Sequence, residues 1–287
     1  MVQRRTILGV MLAAAALFRG HASGQDKALR LAANPNLSAI ELLNNFGPFA
    51  RELEKELGRP VRLVSGRDYD DTLRLLKDGQ VDIAGTGAFG YVTAHDDFGA
   101  RLVVRYLEDD GDSYHAIIFT RQDSGLRSVA DLRGKRFAFT DVKSTSGYLM
   151  PLLELHRNGI GLADLGKVDH VKKQPNAAIA VYNRQADAGA MADNQLNEKY
   201  GVKIDELRIL WRSPPIPHGV WIARADMDEG ELARISQAIL RISRSEEGRK
   251  ALAQASVRGF AAVSDADFSF VRSAARQLQK LQAESRP

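Results

Sequence analysis

Arg136-Phe137-Ala138-Phe139-Thr140-Asp141-Val142-Lys143-Ser144-Thr145-Ser146-Gly147-Tyr148-Leu149-Met150-Pro151 is the stretch on which the reading of this chain turns. Phe137 to Thr140 is apolar and aromatic, follows Gly134 and runs into a polar turn, the pattern of a short buried strand. From Tyr148 onward Leu149, Leu152, Leu153 and Leu155 are spaced to cover one face of a helix. Ser144-Thr145-Ser146-Gly147 falls between them, at a helix N-terminus. Backbone N–H groups there lack intrahelical partners, and the helix dipole is positive. Three hydroxyls beside free amides are the makings of an anion site. They are also the makings of a plain cap, because Ser and Thr are favoured there whether or not anything binds. Gly147 lets the backbone approach a ligand closely. Pro151 sits early enough to stiffen the first turn without breaking the helix.

On the N-terminal side, strands are expected at 28–33, 61–64, 81–84, 102–107 and 113–120. A helix follows Ser38, with Ile40, Leu43, Phe46, Phe49, Leu53 and Leu57 recurring at three and four. Residues 34–36 read as a loop, and Tyr69-Asp70-Asp71-Thr72 opens another helix. Gly85-Thr86-Gly87-Ala88-Phe89-Gly90 follows a strand but has neither dinucleotide nor P-loop spacing. It reads as a turn into the next helix or as a ligand contact. On the C-terminal side come a helix at 148–158, a strand at 168–171 and a helix at 176–182. Strands at 186–191, 207–211 and 219–223 follow, with an irregular loop at 213–218 and a mainly helical remainder from Glu229 to Gln282. Ala186-Asp187-Ala188-Gly189-Ala190 echoes Val81-Asp82-Ile83-Ala84-Gly85. In each, a helix and a polar turn lead into a strand with an early aspartate. Such alternation predicts α/β layers around mostly parallel sheets.

A chain of 287 residues is long enough for two domains. With 44% hydrophobic and 26% charged residues it is typical of folded proteins. Residues 1–24 read as a secretory signal: Arg4 and Arg5, an apolar run from Ile7 to Phe18, then Ala22-Ser23-Gly24. The apolar run is too short to span a bilayer. The absence of cysteine excludes disulfides, thiolate metal sites and the lipid attachment of a bacterial lipoprotein. A soluble protein of a Gram-negative periplasm is expected. Losing 1–24 leaves 37 basic and 36 acidic residues, so nothing suggests a nucleic-acid surface.

Several pieces together resemble the phosphonate-type periplasmic solute-binding proteins of ABC transporters, with the type II binding-protein fold. They are Asp78-Gly79-Gln80-Val81-Asp82-Ile83-Ala84, Asp131-Leu132-Arg133-Gly134-Lys135, Ser144-Thr145-Ser146-Gly147-Tyr148, Ala186-Asp187-Ala188-Gly189-Ala190 and Ser213-Pro214-Pro215-Ile216-Pro217. The resemblance spans about Leu29 to Ser256. It implies two α/β lobes with the ligand between them. Lobe 1 would comprise 25–118 with 222–287, and lobe 2 would comprise 119–221, with crossovers near Ile117–Thr120 and Val220–Ala223. It implies that Ser144, Thr145, Ser146 and Gly147 hold a phosphonate and that Tyr69 and Tyr114 donate from the other side. The family's Gly-x-His-Asp segment is replaced by Lys173-Gln174-Pro175-Asn176. Asn176 is then placed as a neutral ligand contact, with His218 either compensating or simply lying in its loop.

Three functions follow for comparison. One is capture of a phosphonate, phosphite, phosphate or similar oxyanion for an ABC permease, by a monomer that closes like a hinge. Another is presentation of that oxyanion to a sensor kinase. The third is hydrolysis by Ser146, which lacks a Gly-x-Ser-x-Gly elbow. No His-Glu-x-x-His motif or acidic cluster suggests a metal. The expectation is a binding protein with no catalytic residue, metal or cofactor.

Overall fold

The structure, a computed structural model, describes residues 28–33, 37–108, 111 and 113–284. The expected signal at 1–24 and the loop at 34–36 lie outside the described residues. In chain order the first lobe contributes β1 (Leu29–Ala32), α1 (Ala39–Leu57), β2 (Val61–Val64), α2 (Tyr69–Lys77), β3 (Ile83–Thr86), α3 (Ala88–Phe98) and β4 (Arg101–Glu108). The chain crosses at β5 (Ser113–Tyr114). It then forms β6 (Ala116–Arg121), β7 (Arg136–Phe139), α4 (Met150–Arg157), β8 (Lys167–His170), α5 (Gln174–Tyr182), β9 (Ala188–Ala192) and β10 (Leu207–Arg212). It returns through β11 (Ile216–Pro217) to β12 (Val220–Ala223), α6 (Glu229–Arg244), α7 (Glu246–Leu252), β13 (Val257–Ala261) and α8 (Ser269–Glu284).

The strands sort into a six-stranded sheet, β13-β4-β12-β3-β1-β2, and a five-stranded sheet, β10-β6-β9-β7-β8. Parallel pairing is confined to β3-β1-β2 and to β9-β7-β8. β12 and β6, which enter their sheets from the crossing, run antiparallel to their neighbours. Two aspartates anchor the two sheets in the same way. Asp82 Oδ2 accepts the Arg30 backbone N–H at 2.9 Å while Oδ1 takes its guanidinium at 2.7 Å. Asp187 does the same to Arg136, at 2.8 and 2.7 Å. The echo in the sequence is therefore a repeated anchor between β1 and β3 in one sheet and between β7 and β9 in the other, each a parallel pair.

Ser38 caps α1 through a reciprocal pair with Glu41. Phe46, Phe49, Leu53 and Leu57 turn inward, joined by Leu42, whereas Ile40 and Leu43 in the first turns are exposed. Trp221 is fully buried among Phe46, Phe49, Tyr106 and Phe260, with ring centroids 4.7–6.1 Å apart. Burying a large side chain of this kind contributes about 1.5–3 kcal/mol. In the other lobe Ile117, Phe119, Ala138 and Met191 pack under α5. A third apolar cluster joins Tyr91 and Ala94 of α3 to Leu149, Leu152 and Leu153 through Phe268, Val271 and Leu278.

Three expectations are corrected. The crossing runs through the paired β5 and β11, not through 117–120 and 220–223. β6 lies wholly in the five-stranded sheet and β12 wholly in the six-stranded one. The reason is local: Asp193 Oδ1 takes the His115 N–H and Ser213 Oγ takes the Ala116 N–H, so pairing switches between them. α8 packs on α3 and on α4, so the C-terminal stretch belongs to both lobes. Finally, β13 lies in the stretch expected to be helical. Ser256, at φ 54°, turns the chain out of the helix before it.

Candidate functional site

β7 delivers the chain to a tight loop in which the Ser144 N–H donates to the Asp141 carbonyl at 2.8 Å. Residues Thr145–Leu149 then form a π-helical turn, with the Leu149 N–H donating to the Ser144 carbonyl at 3.0 Å, before α4 begins. Such wide turns recur at functional sites. The turn folds back on Thr140, whose N–H donates to the Gly147 carbonyl at 3.0 Å. A Cβ on Gly147 would lie 1.7 Å from Thr140 Oγ1. Glycine is needed there for packing, and its N–H is given to Ser144 Oγ at 3.0 Å. The expected ligand contact at Gly147 is therefore corrected: it shapes the turn and is absent from the cleft lining.

Ser144, Thr145 and Ser146 are buried and line a cleft of about 380 Å³. Gln174, in the first turn of α5, reaches both serines. Its Nε2 lies 3.2 Å from Ser144 Oγ and 3.3 Å from Ser146 Oγ, and its Oε1 accepts the Ala192 N–H at 2.9 Å. Across the cleft the Phe89 N–H, in the first turn of α3, donates to Thr145 Oγ1 at 2.9 Å. Gly87 caps that helix without a side-chain bond and also lines the cleft. The helix N-termini that carry Thr145 and Phe89 thus face one another.

Tyr69 and Tyr114 join the same cleft. The Tyr114 hydroxyl interacts with Ser146 and Thr145; burial pushes its phenol up, so it stays neutral. Its ring stacks on His218 at 5.4 Å. His218 is buried, with Nδ1 3.4 Å from Glu108 Oε1. Glu108 Oε2 accepts from Asn194 Nδ2 at 3.3 Å. Behind the loop, Asp141 is raised by burial and lies 3.8 Å from Lys172, which also lies 3.8 Å from Asp68 of the other lobe.

Six expected residues therefore come together: Ser144, Thr145, Ser146, Tyr69, Tyr114 and His218. Asn176 does not. It is exposed, and its amide donates to the Val171 carbonyl at 2.9 Å. Gln174, two residues earlier, occupies the place expected of it. Helix α5 begins at Gln174 with Pro175 just behind, so the first-turn side chain aimed inward is Gln174. Glu108 and Asn194 were not singled out by sequence. Among the described residues no three His, Cys, Asp or Glu side chains gather as a metal site.

The family model described as ABC transporter, phosphonate, periplasmic substrate-binding protein matches residues 31–268. The phosphonates-binding periplasmic protein of Escherichia coli is 27% identical over 254 residues, 85% of this chain and 75% of that protein. A phosphate-import protein of Mycolicibacterium smegmatis is 28% identical over 218 residues, 70% of this chain and 68% of that protein. A solved binding-protein component of an ABC phosphonate transporter from Pseudomonas aeruginosa superposes with a TM-score of 0.80 at 20% identity. That match covers 90% of this chain and 89% of the other. These matches support transport and give the sensor reading no support. The chain belongs to the family of periplasmic substrate-binding proteins of phosphonate ABC transporters.

Proposed function

We propose that this chain captures a phosphonate, phosphite, phosphate or similar tetrahedral oxyanion in the cleft and delivers it to an inner-membrane permease. It does so as a soluble monomer in the periplasm, after loss of the 1–24 signal. The observation that carries the reading is the set of buried hydroxyls of Ser144, Thr145 and Ser146 opposite Tyr69, Tyr114 and the open N-terminus of α3. Hydroxyl and amide donors converging from two lobes suit an anion with several acceptor oxygens. The names of the Escherichia coli and Mycolicibacterium smegmatis relatives point to the same ligand class. Catalysis is not favoured. The side chain hydrogen-bonded to Ser146 Oγ through a nitrogen is the amide of Gln174, which is no base.

Calorimetry with methylphosphonate, phosphite and phosphate tests this reading. At least one should bind. Ser146→Ala should weaken that ligand about tenfold or more, because a charge-assisted hydrogen bond in a dry cleft contributes roughly 1.5–3 kcal/mol. An affinity unchanged by the substitution would remove the serines from the site.

A further inference from the structure

We infer that Gln174 biases the polarity of the three-hydroxyl cradle toward donation, so that the site favours the fully deprotonated form of its tetrahedral anion over the singly protonated form. The inference rests on the oxyanion reading above and narrows it to one protonation state. The orientation of the Gln174 amide follows from its neighbour. The Ala192 N–H can only donate, so the atom 2.9 Å from it is Oε1. Nε2 therefore faces Ser144 and Ser146.

A hydroxyl has one proton and two acceptor lone pairs. Ser144 Oγ accepts from Gln174 Nε2 and from the Gly147 N–H, which occupies both lone pairs. Ser144 can then only donate. Ser146 Oγ accepts from Gln174, and Thr145 Oγ1 accepts from the Phe89 N–H. Each keeps its proton and one lone pair for a partner in the cleft, where the Tyr114 hydroxyl also reaches them. A bare phosphonyl oxygen accepts these protons. The three bare oxygens of the fully deprotonated anion can take all three protons, whereas a P–OH sets donor against donor at Ser144 and finds an acceptor only at the remaining lone pair of Ser146 or Thr145.

No carboxylate is aimed at the serines to accept such a proton. Glu108 is held by His218 and Asn194, and Glu41 accepts the Ser38 N–H. Asp141 accepts the Lys143 N–H beside Lys172. Asp193, at the end of β9, is taken by the His115 N–H and Arg212. The other titratable groups in the cleft wall are Lys199, His218 and the phenols of Tyr69, Tyr106, Tyr114 and Tyr200.

The test is calorimetry of the mature protein with methylphosphonate, below the ligand's second pKa, in two buffers of different ionisation enthalpy. Wild type should release about one proton per ligand, and its apparent affinity should rise about tenfold per pH unit until that pKa and then level off. Gln174→Glu reverses the cradle: the new carboxylate takes the serine protons and repels the dianion. Its affinity above the second pKa should fall roughly a hundredfold, and the proton release should vanish. Gln174→His keeps an N–H donor and should keep the release. A histidine that gained a proton on binding would act in the opposite sense, and the same titration on His218→Asn removes that contribution. Wild-type binding without proton release, or with affinity independent of pH below the second pKa, would overturn the inference and leave the oxyanion reading standing. Failure of wild type to bind methylphosphonate, phosphite or phosphate would instead overturn both.

Discussion

Gly147 and Gln174 divide the site between packing and polarity. Gly147→Ala would place a methyl 1.7 Å from Thr140 Oγ1 and 2.7 Å from Thr140 Cβ, with no flexible end to yield. Overpacking of this kind costs roughly 1–3 kcal/mol. The melting temperature should fall by several degrees, about 2–4 °C for each kcal/mol in a chain of this size. Scanning calorimetry checks it, and an unchanged melting temperature would mean that the turn does not rest on Thr140. The hydroxyls of Ser144, Thr145 and Ser146 were legible in the sequence because capping is a local rule. Gln174 was not. Its role depends on side chains 28 and 30 residues away, and no local pattern marks a glutamine for that. Asn176 looked apt by type and position, yet its amide is used within its own loop.

At the scale of elements, the repeated aspartate–arginine anchor ties Arg30 of β1 to the chain entering β3 and Arg136 of β7 to the chain entering β9. Burial pushes the Asp82 carboxyl up, but hydrogen bonds from the Arg30 side chain and backbone, with the charges of Arg30 and Arg224, hold it below the ordinary carboxylate value. A depressed acid stabilises the fold above its unfolded value, near 4, and that contribution is lost as pH falls through the folded value. Asp82→Asn should therefore cost roughly 1–3 kcal/mol at pH 7. The gap to wild type should close as pH drops below about 4. Urea unfolding across that range measures it; a gap that persists in acid would mean that the charge of Asp82 is not what matters. The aspartates of this anchor were legible, through the echo of Val81-Asp82-Ile83 in Ala186-Asp187-Ala188, but their arginine partners, 52 and 51 residues away, were not. β13 was hidden because Val257-Arg258-Gly259-Phe260-Ala261 is too short to show its alternation beside long helical neighbours. Its pairing with β4 is a long-range contact.

Across the whole molecule, the lobes meet through the ribbon of β5 and β11, through α8 and through the contacts of Phe89 with Thr145 and of Asn194 with Glu108. The α/β layering was readable from strand–helix alternation, and the two lobes from the resemblance to the binding-protein family. The ribbon was not, because two-residue strands carry no periodicity. Nor was the straddling of α8, since an amphipathic face does not say which lobe it covers. Opening about the ribbon would separate the cleft contacts, and a ligand that touches both lobes would favour the closed form. Small-angle scattering should give a smaller radius of gyration with saturating methylphosphonate than without it. Identical profiles with and without bound ligand would remove the hinge. The most direct measurement is a crystal structure of the protein grown with saturating methylphosphonate. The phosphonyl oxygens should lie within hydrogen-bond reach of Ser144 Oγ, Thr145 Oγ1 and Ser146 Oγ, with the hydroxyls of Tyr69 and Tyr114 completing the shell. Methylphosphonate bound elsewhere, or a cradle without phosphonate at saturation, would contradict the assignment of this cleft.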